Sequence, residues 1–194
     1  MNSAIELRRL ADSYLDHTLI ALRAQDVAAN LRNFLDPWWI FDRGGVFVHE
    51  RRGGGYTAHT FNNPCPWSHR DRLAQFDWQS RQAESILRLG REAQIVDRKS
   101  HPLERRLMVD HSIPIGVIGK ELWADPSSWT RETLREFLLK NYKRAVISYA
   151  EDQLLTQLGL RANMPKGWKL GDDPYARYAE VGIEGAPGNL NGVS

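Results

Sequence analysis

Residues 106–116, RLMVDHSIPIG, decide how this chain is read. Leu107, Met108 and Val109 make an apolar run of strand character. Asp110 and His111 close it, and Pro114 follows three residues after the histidine. A proline suits the first turn of a helix, where its missing N–H would have found no intrahelical partner anyway. The stretch therefore predicts a strand that ends in two polar side chains and gives way to a short helix around GVIGKELW (116–123).

Working outward toward the C-terminus, WTRETLREFLLKN (129–141) has helical spacing and RAVISY (144–149) reads as a strand. Ser148 and Glu151 then form a capping box, in which each side chain satisfies a backbone N–H that a helix start leaves unbonded. That helix should stop at Gly159, a residue that tolerates the left-handed backbone of a C-cap. MPKGWKLGDDPYARYAEVGI (164–183) reads as a packing clasp over the core. Asp172 and Asp173 are its expected helix caps, and Pro174 opens a short helix through Tyr175 and Tyr178. GAPGNLNGVS (185–194) is small and polar, as in a disordered tail.

Toward the N-terminus, Ser3 and Glu6 repeat the capping pattern. Leu7, Leu10, Tyr14, Leu15, Leu19 and Leu22 follow at helical spacing, so a long first helix is expected. A stripe of Val27, Leu31 and Phe34 continues to Pro37, which should push the residue before it out of the helical region. WWIFDRGGVFVHERRGGGYTAHTF (38–61) alternates aromatic or β-branched runs with glycine turns and is read as an antiparallel meander of three strands. Ser68 would cap a helix carrying Leu73, Phe76, Trp78, Ile86 and Leu87 that ends near Gly90. The expected class is α+β: a long N-terminal helix, a three-stranded meander, further helices and a ββα-like C-terminal unit. One compact domain is expected over residues 1–185, in two parts (1–100 and 101–185), with 186–194 as tail.

With 194 residues and 42% hydrophobic side chains, the chain can bury one sizeable core. Lys and Arg number 26 against 24 Asp and Glu, a net charge of +2, so any nucleic-acid contact must rest on a local patch rather than on a global field. The first residues lack the apolar segment of a secretory signal, and no later run of about eighteen apolar residues could span a bilayer. A cytoplasmic location without membrane contact is the expectation. The single cysteine, Cys65, excludes an internal disulfide and any multi-cysteine zinc site.

The order strand, strand, helix in RLMVDH, RAVISY and AEDQLL is the order in which a ββα-metal site is built. Residues 106–158 resemble a remote, divergent HNH nuclease core, a family whose first strand often ends in Asp-His or Glu-His followed by a proline. The resemblance implies a metal-dependent endonuclease acting on DNA or RNA. It implies that Asp110 binds a divalent cation and that His111 is the general base that activates water. Asn141 would hold the connecting loop and orient the histidine ring, and Glu151 or Asp152 would supply the second metal ligand from the helix. The family usually places His or Asn on that helix. An acidic residue there suits a hard, oxygen-loving ion such as Mg2+ or Mn2+ better than zinc.

The same residues also have structural readings: Asp110 as the cap of a turn, His111 as a partly buried ring with a satisfied hydrogen bond, and Pro114 as a helix opener. Arg51 and Arg52 in HERRGGGY (49–56), with Tyr56 as a stacking surface, read either as phosphate contacts or as part of a long hairpin turn. Lys140, Lys143 and Arg144 lie beside the candidate site in sequence, where a nuclease would hold a backbone. They equally complement the C-terminal dipole of the preceding helix. Arg70, Arg72, Arg81, Arg88 and Arg91 are offset by interleaved acids and read as a solvated helix face. His49 with His59, and Cys65 with His69, lack the spacing of a metal or nucleophile site. Arg177 would be a phosphate or carboxylate ligand, with no partner evident in sequence. The rival to the nuclease is a non-enzymatic interaction protein, of phage or mobile-element type. It would bind a protein partner through a Trp- and Arg-rich surface that includes one or more of Trp38, Trp39, Trp67, Trp123 and Trp129. A third reading is a nucleic-acid-binding module built on residues 43–56 and the arginine helix.

Overall fold

In the computed structural model, residues 4–43, 50–52, 55–57, 76–92 and 107–187 are described. The chain is α+β, and it divides into two compact units, residues 1–47 with 113–142 and residues 48–112 with 143–194.

The first unit is helical in its described residues. Helix α1 (Ala4–Arg23) buries Ala11, Leu15, Leu19 and Leu22 along one stripe, as its spacing requires. Helix α2 (Arg32–Asp42) corrects the sequence reading: it contains Pro37, and WWIF belongs to it rather than to a strand. A proline inside a helix costs about 3 kcal/mol. Burial offsets that cost, because Trp38, Trp39, Ile40 and Phe41 are all buried and two aromatic side chains alone remove several kcal/mol worth of apolar surface from water. Asp36, one residue before the proline, is held by the Tyr142 hydroxyl at 2.7 Å and by Arg32 Nε at 3.1 Å. Two further helices complete the unit: α4 (Ile115–Ala124), entered through Pro114, and α5 (Arg131–Asn141), opened by a Thr130–Thr133 capping box. Arg131 and Arg135 of α5 pair with Asp16 and Asp12 of α1.

The second unit holds the sheets. Strands β1 (Glu50–Arg52) and β2 (Gly55–Thr57) are antiparallel, with Glu50 opposite Thr57. They are the part of the expected meander that stands; the remainder of 44–61 lies outside the described residues. Four more strands, β3 (Trp78–Ser80), β4 (Leu107–His111), β5 (Arg144–Ser148) and β6 (Gly185–Pro187), form a mixed sheet in the order β4-β5-β3-β6. Helix α3 (Arg81–Glu92) begins only after β3, so Trp78 is a strand residue and not part of a helix from Ser68. The cap is Ser80, whose Oγ accepts the Ala83 N–H at 3.0 Å. Gly185–Pro187, read from sequence as the start of a tail, pair antiparallel with β3.

Helix α6 (Tyr149–Gln157) follows β5 directly through the expected Ser148–Glu151 capping box, and Gly159 takes the expected positive φ of 72°. Helix α7 (Ala176–Glu180) and the turns around it are the clasp: Tyr178 and Ile183 are buried against Trp78, Ala145, Ile147 and Leu155, and Trp78 stacks on Tyr178 at 4.9 Å between ring centroids.

Candidate site at the end of strand β4

Strand β4 pairs antiparallel with β5 over five residues, Leu107 opposite Ser148 and His111 opposite Arg144. Successive side chains on a strand point to opposite faces. Met108 packs into the core cluster that contains Leu155 and Tyr178, so Asp110 shares the α6 and α7 face while His111 takes the other. The chain then leaves the sheet at Ser112, whose N–H donates to the Lys143 carbonyl at 2.9 Å.

Asp110 does not stand alone. Its Oδ1 accepts the His111 N–H at 2.9 Å, and its Oδ2 accepts the Tyr178 hydroxyl at 3.0 Å and a short bond from Arg177 Nη2. Arg177 is fully buried, and each of its five N–H donors has an acceptor in the protein. Nε donates to the Ser112 carbonyl at 2.9 Å. Nη1 donates to the Leu160 and Arg161 carbonyls at 2.7 and 3.0 Å. Nη2 donates to the His111 carbonyl at 2.6 Å and to Asp110. One guanidinium thus ties helix α7, the chain after α6 and the exit of β4 together. Burial pulls its pKa down, but the charges and hydrogen bonds of Asp110 and Tyr178 together outweigh that and raise it. Burial, and then the Asp110 charge, push the Tyr178 phenol well above its ordinary value.

Asp152, on the first turn of α6, is buried on a helix that packs against β4. Burial raises its pKa, and the Asp110 charge adds to the rise, against the Arg161 guanidinium and lesser contributions from Gln153 and Arg177. Arg161 Nε lies 3.9 Å from Asp152 Oδ1 on a side chain that is 62% exposed, so it compensates the carboxylate weakly. Asp110 is thus paired with the fully buried Arg177, and Asp152 with the exposed Arg161.

The other sequence candidates fall elsewhere. Glu151 is the N3 partner of the capping box: its Oε2 accepts the Ser148 N–H at 2.7 Å and the Ser80 hydroxyl at 2.6 Å. Asn141 belongs to the helical unit, where its amide donates to the Phe137 carbonyl at 2.9 Å. Arg144 is buried, with its N–H on Asp77 Oδ2 at 2.8 Å and its guanidinium 5.8 Å from the Phe76 ring centroid. Lys140 is exposed and Lys143 half-buried. The side chains of Arg51 and Arg52, together with His49, His59, Cys65, Trp67, His69 and His101, lie outside the described residues. Trp38 and Trp39 are fully buried, while Trp123 and Trp129 are half-buried.

The sequence singles out Arg177 as a carboxylate or phosphate ligand with no partner evident; its partner is Asp110, and the second residue on Asp110, Tyr178, reads only as part of the clasp. Arg177 and Tyr178 are adjacent in PYARY, at the end of the chain's clasp, and a lone arginine between buried aromatics was the available signal. Comparison with protein-family models, with curated proteins and with solved structures finds no match. No helix among the described residues is long and apolar enough to cross a membrane.

The donor chemistry can be set against a divalent cation. Among the described residues, no three His, Cys, Asp or Glu side chains gather into a ready-made cage. A hard ion such as Mg2+ keeps several waters and takes one or two carboxylates from the protein. Asp152 fits that demand as a buried carboxylate whose ion-pair partner, Arg161, is largely exposed. Asp110 fits through Oδ1, whose partner is its neighbour's N–H, and less well through Oδ2. Glu151 does not fit, because its cap role holds it.

Proposed function

We propose that the chain is a cytoplasmic, metal-dependent endonuclease of HNH-like type that hydrolyses phosphodiester bonds in DNA or RNA. The observation that supports this reading is that the helix following β5, which carries Asp152 on its first turn, packs against β4, which ends in Asp110 and His111. Strand, antiparallel strand and helix in that order support it.

In this reading Asp110 and Asp152 hold Mg2+ or Mn2+, which supplies charge neutralisation at the phosphate and leaving oxygen. His111 is the general base of this reading, taking a proton from the attacking water. The test is cleavage of supercoiled plasmid and of structured RNA in Mg2+, Mn2+ or EDTA, with His111→Ala and Asp152→Asn beside the wild type. Metal-dependent cleavage lost in both variants is expected; equal cleavage by wild type and both variants, or none in any condition, counts against the reading.

A second reading is favoured by one observation: the bonds of Asp110 and Arg177 within the protein have the form of a structural rivet. On that reading the chain is a non-enzymatic interaction protein, and its half-buried Trp123 and Trp129 with the exposed Ile20 and Val27 are the surface to test. Val27→Glu and Ile20→Glu would then abolish a stoichiometric complex that the wild type forms, without changing thermal stability.

A further inference from the structure

Residues 158–175, between α6 and α7, contain no helix or strand, yet their own hydrogen bonds tie them throughout. The Trp168 N–H donates to the Pro165 carbonyl at 3.1 Å and the Asp172 N–H to the Lys169 carbonyl at 3.0 Å, which makes two consecutive β-turns, 165–168 and 169–172. Each turn has a glycine at its third position, Gly167 at φ 87° and Gly171 at φ 105°, as type II turns require. Trp168 stands where the turns meet. Its indole N–H donates to the Asp173 carbonyl at 2.9 Å, so its polar handle is satisfied within the loop and what the half-buried ring still exposes is apolar. Lys166 is the second residue of the first turn and Lys169 the first residue of the second. Both are exposed, and neither forms an ion pair among the described residues. The loop's two acids are turned onto its backbone: Asp172 Oδ2 accepts the Lys169 N–H at 2.8 Å, and Asp173 Oδ1 accepts the Tyr175 N–H at 3.0 Å.

We propose that this loop is a contact surface for single-stranded nucleic acid, with Trp168 as the platform on which a base stacks and Arg161, Lys166 and Lys169 as phosphate contacts. The proposal names a substrate class for the endonuclease reading and rests on that reading for the choice of ligand. An indole among cations is what a single strand needs, because every base has a π-face and the backbone follows positive charge. A base inside a duplex is already stacked on its neighbours and is closed to such a ring. The turns hold ring and cations in place beforehand, which spares the ordering cost a flexible loop would incur on binding. The position of the loop also fits. Arg177 Nη1 holds the carbonyls of Leu160 and Arg161, while Nη2 and Nε of the same guanidinium hold those of His111 and Ser112. The loop therefore begins one side chain away from the exit of β4. Of the cations the sequence suggests for backbone contact, Arg144 is buried and Lys140 belongs to the helical unit.

The test is fluorescence anisotropy of a labelled short oligothymidylate titrated with the full chain, in EDTA so that no metal-dependent cleavage intervenes. The wild type is expected to bind, with affinity that falls as salt rises. Trp168→Ala should bind about tenfold or more weakly, as alanine does at stacking positions. Trp168→Phe, which keeps a ring but loses the bond to Asp173, should lose much less. Replacing Lys166 and Lys169 together by alanine leaves no partner behind, so that variant folds as the wild type does. It should flatten the slope of log affinity against log salt by about 1.4, at roughly 0.7 for each phosphate contact on a single strand. No binding by the wild type, binding unchanged in both the Trp168→Ala and the lysine variants, or a duplex that competes as well as the single strand would each overturn the surface. The plasmid and RNA cleavage test would then decide the endonuclease reading by itself. Binding that needs Trp168 and the lysines, in a protein that cleaves nothing, would uphold the surface and end the endonuclease reading.

Discussion

Removing Arg177 is the perturbation whose size the structure fixes best. In Arg177→Met the Asp110 carboxylate keeps Tyr178 and the His111 N–H but loses its ion pair, and the carbonyls of His111, Ser112, Leu160 and Arg161 lose a donor each. Breaking a buried ion pair from one side typically costs about 3–5 kcal/mol, because an uncompensated charge is left behind. The orphaned carbonyls act in the same direction wherever water cannot reach them. We expect a loss of about 4 kcal/mol, which at a urea slope of about 2 kcal/mol per molar moves the unfolding midpoint down by roughly 2 M. Arg177→Lys retains the charge but offers three donors in place of five and no planar fork, so roughly 2 kcal/mol should be lost. The assay is urea unfolding followed by near-ultraviolet circular dichroism, which reports the Trp78, Tyr175 and Tyr178 stack. A double-mutant cycle with Asp110→Asn should return a coupling of at least about 1.5 kcal/mol, as residues in one buried network do. A loss under about 1 kcal/mol for Arg177→Met, with coupling near zero, would refute the claim that this guanidinium holds the β4 exit to the clasp.

Three further outcomes follow from single positions. Gly185→Ala places a Cβ into the Trp78 ring and the Gln79 carbonyl, and because neither can yield cheaply, a loss of about 1–3 kcal/mol is expected by thermal or urea unfolding. Ser148→Ala removes the acceptor for the Glu151 N–H and should cost about 1–2 kcal/mol, again read from unfolding, whereas a neutral result would mean that the cap contributes nothing to α6. Asp152 is raised in the folded state, first by burial and then by Asp110, so its contribution to stability is fullest in acid and is lost as pH rises from the ordinary carboxylate range through the raised value. Asp152→Asn should therefore gain on the wild type between acid and neutral pH, and a difference independent of pH would contradict the buried placement of this carboxylate.

The sequence made some of this legible because the deciding signals were local. Capping boxes, a glycine after α6 and the apolar run before Asp110 are written in consecutive residues, and β4, β5 and α6 lie where those signals put them. WWIF misled because aromatic and β-branched side chains favour strands only in proportion to how they pack. Here four of them pack as a helix against α1 and its neighbours, and the proline before them is tolerated. Trp78 misled in the opposite sense: its helical spacing with Phe76 and Ile86 is real, but pairing with β5 and β6 and stacking on Tyr178 are long-range and have no local mark. The site was half legible for the same reason. Asp110 and His111 are adjacent in sequence, and the alternation of a strand that sends them to opposite faces follows once β4 is known. Arg177, sixty-seven residues beyond Asp110, is brought to it by the clasp alone.

The most direct test of the account is where a paramagnetic ion settles. In a 15N-labelled protein titrated with Mn2+, the account predicts that amide signals of residues 110–112 and 151–153 broaden first and together, and that Asp152→Asn abolishes the effect. Broadening that begins at Asp172 and Asp173, or spreads evenly over the acidic surface and persists in Asp152→Asn, would contradict the assignment of this strand end as the working site.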